Sequence, residues 1–486
     1  MAVLDRPRNL NASLLETFRT DLECGDVFAA LRGGLIGDDA SIDGPFGPKR
    51  LVYADYVASG RALRQIESFV LEQVLPYYAN SHTEASYCGG FMTRLRREAR
   101  AAIAGCCRAG PEHAVIFAGS GATAGINRLV HLLGVTRRGA DGAPARVIVG
   151  PYEHHSNILP WRESGAEIVE IPEAAEGGPD LVRLQSALND PRAPGLTVCS
   201  FSAASNVTGI LADIGAVTRL VKASGALMVW DFAGAGPYVP IDMSCGIDAA
   251  VVSPHKFIGG PGASGILIVR RDVVVSERPT WAGGGTVSFV SPWGHDYSTS
   301  LEAREEAGTP NVVGDVRAAL AFLVKDAIGA GPMAMRNAHL ARHAMQRLAS
   351  MDNVELLGHV EAPRLPIFSI RLRDGRDGFV HHQLVTRMLS DRFGIQARGG
   401  CACAGPYVHR LLDIDPARSD AIRTAIAEGR ETEKPGFVRF NLSVLLSDEK
   451  VDFILDSIGQ LATDAARFVA LYDVDPQRAI FSPKAA

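Results

Sequence analysis

The sequence predicts an α/β fold, in which a large domain with a mainly parallel seven-stranded sheet precedes a smaller α+β domain. Between residues 51 and 271, seven short apolar runs alternate with longer segments of helical periodicity, which is typical of parallel strands joined by crossover helices. From about residue 350 to residue 475, strand-like and helical runs mix, as they do in an α+β domain. The 486 residues also exceed what one compact core usually needs.

These patterns divide the chain into three predicted parts. Residues 1–49 form an N-terminal segment that packs with the small domain, residues 50–310 form the large cofactor-binding domain, and residues 311–486 form the small C-terminal domain. Apolar residues have helical spacing near residues 14–32, and a long helix-like run at about 311–349 leaves the sheet domain. The seven strand-like runs read AVIFA, RVIVG, EIVEI, LTVCSF, ALMVW, DAAVVS and GILIVR.

The composition favours a small-molecule substrate. A formal charge of −5 and a pI near 6.2 give no electrostatic reason to expect a nucleic acid or an anionic membrane as partner. Residues 1–18 lack the apolar core of a signal peptide, and later apolar stretches are interrupted by charges, Gly or Pro. We therefore expect a cytoplasmic protein whose 8 cysteines are thiols.

The segment SPHKFIGGPGASG, residues 253–265, contains a candidate catalytic amine. Lys256 stands between a strand-like run and a glycine-rich loop, with Ser253 and His255 as polar neighbours. The glycines would let the backbone approach a bulky group closely. A lysine that forms a Schiff base must be partly unprotonated, and burial beside cationic or donor groups achieves this. An arbitrary lysine would be a surface charge, but this context favours a catalytic role.

The run LMVWDFAGAG places Asp231 at the carboxyl end of a predicted central strand, where ligands of open α/β sheets bind. An aspartate there could instead cap the next helix. Beside a Schiff-base lysine, a carboxylate has a sharper role, because it can keep a pyridine nitrogen protonated so that the ring stabilises carbanions. Asp231 and Lys256 together predict pyridoxal 5′-phosphate (PLP) as the cofactor.

A phosphate site is predicted in FAGSGATAGINRLV, residues 117–130. A strand that ends in a glycine-rich turn and opens a helix presents free N–H groups to an anion. The residues in that position are Gly121, Ala122 and Thr123, and Thr123 adds a hydroxyl. Many strand-to-helix turns share this pattern, so it supports the PLP prediction without establishing it.

The segment GPYEHHSNILPW, residues 150–161, contains adjacent histidines. Neighbouring positions on a strand point to opposite faces, and no third ligand is suitably spaced, so no metal site is predicted. A histidine at a strand end can instead stack on an aromatic cofactor and act as an acid or base near neutral pH.

Taken together, the motifs SPHK, EHHSN, SNVTG and REEAGTPN, with Asp231 after a strand, resemble class V aminotransferase-fold enzymes. The sequence is most similar to the cysteine desulfurase and selenocysteine lyase group, from about Tyr53 to about Ile458. The resemblance implies PLP fold type I, a small amino-acid substrate, and a homodimer with active sites at its interface. It also implies that His154 stacks on the cofactor ring and that Asn206 and Asp231 contact it. The phosphate would be held by Thr123, Ser253 and His255, and by Thr286 of the other subunit.

The segment IQARGGCACAGP, residues 395–406, resembles the Arg-x-Gly-x-x-Cys-Ala loop of the desulfurases. Arg398 and Gly400 take the Arg and Gly positions, and Cys403 is the nucleophile. The resemblance implies that this thiolate attacks the sulfur or selenium of the substrate, leaving alanine and a persulfide for a protein acceptor. Arg439 in GFVRFNLS would pair with the substrate carboxylate, for which a planar guanidinium is suited, with Arg398 and His82 of NSHTE also at the substrate.

The chain departs from the family pattern at three places. Gly234 stands where the family usually has a glutamine that bonds the cofactor's phenolate oxygen, so the pKa of the cofactor's aldimine should change or another group must supply that bond. The usual Asp-Asn-Ala-Ala run is replaced by Asp55-Tyr56-Val57-Ala58. The His-His pair before the nucleophile is replaced by Cys401-Ala402. Cys401 is a candidate resolving or relay thiol. The alternative is a pair of inert thiols or half a metal site, which lacks a second Cys/His pair.

Three functions remain open from the sequence. The leading one is a PLP-dependent sulfur or selenium transferase that acts on L-cysteine, L-selenocysteine or a relative. The second is an aminotransferase, epimerase or β-lyase of the same fold, which would not need Cys403. The third is a non-catalytic PLP-fold scaffold that binds partners. Gly234 favours the scaffold, whereas Lys256, Asp231 and His154 argue against it.

Overall fold

The computed structural model describes residues 13–81, 83–137, 142–190, 195–375 and 378–484. Its central element is a seven-stranded sheet. In chain order the strands are β1 (His113–Gly119), β2 (Arg146–Val149), β3 (Glu167–Glu170), β4 (Thr197–Ser202), β5 (Leu227–Asp231), β6 (Ala249–Val252) and β7 (Gly265–Arg270).

The order across the sheet is β1-β7-β6-β5-β4-β2-β3, and β7 alone runs antiparallel to its neighbours. Each of the seven predicted apolar runs overlaps one of these strands, so the predicted mainly parallel sheet is confirmed. The central strands are apolar at successive positions because helices cover both faces of the sheet.

Helices pack on both faces of this sheet and around the second one, and most begin at a side-chain cap. Ser86, Asp213 and Ser447 each accept a hydrogen bond from a backbone N–H of the first helical turn. The α-helices are Leu14–Glu23, Val27–Gly34, Arg64–Phe69, Tyr87–Cys106, Gly121–Leu132, Leu159–Glu163, Leu181–Leu188, Ile214–Ala223, Leu301–Glu305, Val312–Ile328, Ala330–Ala349, His382–Phe393, Gly405–Leu411, Pro416–Ala427, Asp448–Thr463 and Ala465–Val469.

The helix-like run predicted at about 311–349 consists of two helices. Gly329 has a φ of 81° and ends Val312–Ile328, and Ala330–Ala349 continues at an angle of 79°. Glycine adopts this backbone conformation at little steric cost, so it breaks the periodic run. Among the described residues, no single helix is long and apolar enough to cross a membrane. The helices Val312–Ile328 and Ala330–Ala349 are together long and apolar enough to do so, by length and composition only.

A second sheet has four antiparallel strands, β8 (Val354–Leu356), β9 (Ile367–Leu372), β10 (Arg398–Gly400) and β11 (Phe437–Asn441), in the order β8-β9-β11-β10. It shares a separate apolar core with the helices that follow Gly329. The shorter paired strands are Ser41–Ile42 with Lys49–Arg50, Val52–Tyr53 with Ile395–Gln396, Val287–Ser291 with Gly294–Tyr297, and Tyr472–Asp475 with Ile480–Pro483.

The predicted domain limits, 1–49, 50–310 and 311–486, stay a prediction. Leu15 and Phe18 of the first helix lie in the apolar core of the large sheet, and so does most of Val312–Ile328. The connector after the N-terminal helices touches the small domain, where Lys450 Nζ lies 2.6 Å from Asp38. This packing favours a large unit that extends to about Gly329 and includes the N-terminal helices.

The sheet positions the candidate site because β1, β2, β4, β5 and β6 all end at the same edge. At that edge the start of β7 passes close to the turn after β1. A Cβ placed on Gly265 would lie 2.5 Å from the Cα and N of Gly121. Only a glycine fits this crossing.

We expect the Gly265→Ala variant to lose stability, because its methyl group would push the two backbones apart. The free energy of unfolding should fall by about 3 kcal/mol. Gly105→Ala is the control, since a Cβ there meets no atom within 4 Å and alanine favours the helix. Urea unfolding compares the two variants, and equal midpoints would contradict the crowding argument.

Candidate active site

Lys256 ends a short turn, Pro254–Lys256, directly after β6. Burial, and with it the positive charges of Arg439 and Arg398, lowers the pKa of Lys256 to about 8, against the opposing effect of Asp231. An appreciable fraction of the amine is therefore neutral near pH 8. This is the state that attack on a carbonyl carbon requires.

Asp231 is the last residue of β5 and is 3% exposed. The N–H of Ala233 donates to its Oδ1 at 2.7 Å, and its other carboxylate oxygen has no hydrogen bond within the described part of the chain. Burial raises the pKa of Asp231, while this hydrogen bond and the charge of Lys256 act in the opposite direction. One carboxylate oxygen thus stays available to a partner in the site.

The turn after β1 and the loop after β6 form one backbone cradle. The N–H of Ala122, in the first turn of Gly121–Leu132, donates to Ser253 Oγ at 3.0 Å. A Cβ on Gly121 would lie 2.9 Å from that hydroxyl and 3.1 Å from the His255 ring. Burial lowers the pKa of His255 to about 4, so its ring is neutral at physiological pH. The structure therefore brings these four predicted residues together.

His154 follows β2 and is joined to the cradle through Ser156. The N–H of Ser156 donates to His154 Nδ1 at 3.1 Å, which leaves the ring proton on Nε2 in the neutral form. Ser156 Oγ lies 3.0 Å from His154 Nδ1 and 2.7 Å from Thr123 Oγ1. Burial, then the nearby positive charge of Lys256, lowers the pKa of His154 to about 4. Ser156 was not predicted, although it lies within the EHHSN motif.

A buried polar network below His154 was also missed. Glu153 Oε2 accepts hydrogen bonds from Asn157 Nδ2 at 2.5 Å and from Ser202 Oγ at 2.7 Å, and its Oε1 accepts from the Ser202 N–H. Ser202 pairs with Asp231 across β4 and β5. Burial raises the pKa of Glu153 to about 7, and the carboxylate of Asp231 adds to the rise. A glutamate before two histidines gave no signal in the sequence, because its partner Ser202 lies on another strand.

Asn206, in the turn after β4, lies between the two sheets. Its Nδ2 donates to the carbonyl oxygen of Ala402 at 2.8 Å, and its buried Oδ1 has no hydrogen-bond partner among the described residues. A Cβ on Gly234 would lie 3.5 Å from the carbonyl oxygen of Ala204 and 3.7 Å from Asn206 Cβ, which are ordinary van der Waals contacts. The unpartnered Oδ1 is the kind of buried polar atom that a bound group satisfies.

Arg439 and Arg398 both pair with the carboxylate of Asp55. In the sequence, this aspartate stood out only as part of the run that departs from the family pattern. Arg439 Nη2 and Arg398 Nε lie 2.9 Å from the two oxygens of Asp55. Arg439 is 4% exposed, and its Nη1 donates to the carbonyl oxygen of Asn206 at 3.0 Å. Two guanidinium groups and one carboxylate leave one net positive charge, which matches one substrate carboxylate.

Cys403 lies in a tight turn, residues 401–404, at the rim of the site. The N–H of Ala404 donates to the carbonyl oxygen of Cys401 at 3.1 Å, and Ala402 and Cys403 have φ angles of 50° and 55°. These features define a type I′ β-turn. Left-handed conformations cost non-glycine residues about 1 kcal/mol each, so contacts outside the turn must hold it.

Three hydrogen bonds attach this turn and Gly405, the residue after it, to the site. The N–H of His155 donates to the carbonyl oxygen of Cys403 at 2.8 Å, and the N–H of Gly405 donates to His155 Nε2 at 3.0 Å. The third is the bond from Asn206 to Ala402. The structure thus brings the predicted nucleophile beside the histidine segment, with the Cys403 side chain exposed and the Cys401 side chain half-buried.

Thr286 lies in a separate turn of the same chain. Thr286 is fully buried, and its hydroxyl donates to the carbonyl oxygen of Gly283 at 2.7 Å within the same chain. A contact from Thr286 to the phosphate of another subunit stays a prediction. His82 lies outside the described residues.

The family model of class-V aminotransferases, "Aminotransferase class-V", matches residues 52–452. This chain belongs to that family. The resemblance stated from the motifs is thereby confirmed, and family members are PLP-dependent enzymes.

The relatives of this chain include proteins named probable cysteine desulfurase. The one from Staphylococcus aureus is 26% identical over 391 residues, covering 79% of this chain and 91% of the relative. The one from Staphylococcus epidermidis is 26% identical over 378 residues, covering 76% and 87%.

Solved structures agree on the fold. The apo cysteine desulfurase of Thermococcus onnurineus matches with a TM-score of 0.70 at 23% identity, covering 85% of this chain and 95% of that chain. The cysteine desulfurase CsdA of Escherichia coli, in an S-sulfonic acid form, matches with a TM-score of 0.70 at 21% identity, covering 90% and 98%. Fold type I is thereby confirmed.

We expect Asp55→Ala to destabilise the protein strongly, because it leaves the buried guanidinium of Arg439 without its counter-ion. The free energy of unfolding should fall by about 3–5 kcal/mol. The matched control is Asp39→Ala, which removes an exposed aspartate paired with Arg50 and should change stability by less than about 1 kcal/mol. Urea unfolding of both variants gives the comparison. Equal losses would show that Asp55 is not a buried counter-ion.

Proposed function

We propose that this chain is a PLP-dependent cysteine desulfurase or selenocysteine lyase, which removes sulfur or selenium from a small amino acid and holds it as a persulfide on Cys403. The observation that carries the proposal is the attachment of the Cys401–Ala404 turn to His155 and Asn206, because it brings a thiol to the site that contains Lys256. The names of the Staphylococcus relatives support the same substrate class.

Several features of the site support PLP as the cofactor. Asn206 Oδ1 is buried without a partner, and one oxygen of Asp231 has no hydrogen bond from the described residues. Lys256 would hold the aldehyde carbon, Asp231 the ring nitrogen, and His154 the ring face. The phosphate would lie on the first turn of Gly121–Leu132 with Thr123, Ser253 and His255. When bound, PLP supplies an electron sink for a carbanion at the substrate α-carbon.

Lys256 is the base in this proposal. Its lowered pKa leaves a neutral amine near pH 8, and that amine takes the proton from the substrate α-carbon. Arg439 orients the substrate by its carboxylate, because its guanidinium is fixed by Asp55 and by the carbonyl oxygen of Asn206. The remaining positive charge of the arginine pair is thereby neutralised.

Cys403 is the acceptor of the departing atom. Its thiolate forms a bond to the substrate sulfur while the carbon–sulfur bond breaks, so that cysteine becomes alanine and the enzyme thiol becomes a persulfide. The exposure of Cys403 lets a second protein or a small thiol remove that sulfur. The same exposure suits a protein as the sulfur acceptor. The proposal also includes a small amino-acid substrate and a homodimer. A cytoplasmic location remains a prediction.

The deciding experiment is an absorbance spectrum of the purified protein before and after L-cysteine, with alanine and sulfide measured. We expect a cofactor band that shifts with L-cysteine, with alanine formed and reducible sulfur retained. Cys403→Ala should keep the band and its shift but lose at least about a thousandfold in alanine formation, because the nucleophile is gone. Lys256→Ala should lose the normal band as well.

Other outcomes separate the competing functions. Full turnover in Cys403→Ala would favour an aminotransferase, epimerase or β-lyase. A protein without a cofactor band after added PLP would favour a scaffold and contradict the cofactor assignment.

Capture of PLP by cofactor-free protein should depend on pH. The rate at which the cofactor band appears should rise as pH rises through about 8 and then level off, because the protonated Lys256 amine cannot attack. Arg398→Gln should move the midpoint to higher pH, since the charge of Arg398 helps to lower that pKa. Stopped-flow absorbance between about pH 6.5 and 9.5 covers the range. A rate that does not change with pH would contradict the assignment of Lys256 as the attacking amine.

A further inference from the structure

Cys401 has no role in the proposed reaction, although it lies two residues before the nucleophile. We propose that Cys401 is an internal acceptor, whose thiol attacks the Cys403 persulfide, forms a Cys401–Cys403 disulfide and releases sulfide. This inference rests on the proposed function, because it needs sulfur bound to Cys403. Under this inference, the chain itself releases sulfide and enters an inactive disulfide form that a reductant reverses.

The turn geometry supports a bond between the two sulfur atoms. A left-handed helical conformation at Ala402 places the Cα atoms of Cys401 and Cys403 about 5.5 Å apart, from the helical rise and radius. Disulfides join Cα atoms at about 4.4–6.8 Å. The Cα separation therefore lies within the range of a disulfide, and the bond also needs the two side chains to turn toward each other within the turn.

The environment of Cys401 also suits an acceptor. Its side chain is half-buried against an apolar cluster that includes Tyr407 and Phe437, whereas the side chain of Cys403 is exposed. No other cysteine of the described residues belongs to this cluster. Cys401 is therefore held next to the nucleophile and shielded in part from thiols in solution.

The step balances without an external oxidant. The Cys401 thiolate attacks Cys403 Sγ. The bond between Sγ and the terminal sulfur breaks, and the terminal sulfur leaves as sulfide. The sulfane sulfur is reduced, and the two cysteine sulfurs are oxidised to the disulfide. A dithiol such as dithiothreitol reduces the disulfide and restores both thiols.

The disulfide would also switch the site off. It blocks Cys403, and it constrains a turn whose carbonyl oxygens accept hydrogen bonds from Asn206 and His155. A protein acceptor that takes sulfur faster than Cys401 attacks would keep the enzyme active. Without an acceptor or reductant, the enzyme should stop after one turnover.

The first arm of the test gives the holoenzyme one equivalent of L-cysteine per site, without oxygen or reductant. Alanine and sulfide are measured, and the protein is analysed by intact mass after alkylation. The wild type should release about as much sulfide as alanine and lose two hydrogens in mass. Cys401→Ala and Cys401→Ser should form the same alanine, gain one sulfur atom, and release sulfide only after dithiothreitol. Cys24→Ala, which changes an exposed cysteine far along the chain, should behave as the wild type does.

A second arm uses inorganic polysulfide, which loads sulfane sulfur on Cys403 without the enzyme's own reaction. The wild type should again form the Cys401–Cys403 disulfide, identified by peptide mapping, and Cys401→Ala should keep the added sulfur. Alanine formation with a stable persulfide in the wild type would overturn the inference and leave the proposed function intact. Absence of alanine would overturn the proposed function. The polysulfide arm would then still show whether the Cys401–Cys403 disulfide forms.

Discussion

The ion pair between Arg439 and Asp55 is the interaction on which the site depends. Arg439 lies on β11 of the small sheet, and Asp55 follows the short strand Val52–Tyr53. The same guanidinium donates to the carbonyl oxygen of Asn206, which belongs to the large sheet domain. A buried cation without these acceptors would be costly, so the pair holds the small sheet against the large one.

The geometry of the nucleophile follows from that contact. Asn206 holds the turn through Ala402, and His155 holds it through Cys403 and Gly405. Those hydrogen bonds offset the energetic cost of the left-handed backbone conformations of Ala402 and Cys403, because residues other than glycine adopt these conformations unfavourably. A reactive thiol is thus placed by backbone contacts, so its own side chain stays free for chemistry.

The electrostatics divide the site into two parts. Burial and the two arginines keep Lys256 partly neutral, while burial keeps the rings of His154 and His255 neutral. The carboxyl groups of Glu153 and Asp231 form the second part, and both are buried at the ends of β4 and β5. Burial therefore favours the uncharged form of each of these groups, the lysine and the two carboxyl groups included.

The sequence by itself determined the seven strands, because strand periodicity is a local property of the chain, and its short motifs predicted Lys256, Asp231 and Cys403 as site residues. It did not reveal the break at Gly329, since an apolar helical pattern continues across it. Only the tertiary structure decided that Asp55 pairs with Arg439 and that Glu153 bonds Ser202. Those contacts join residues 384 and 49 positions apart, and folding, not local pattern, brings such distant groups together.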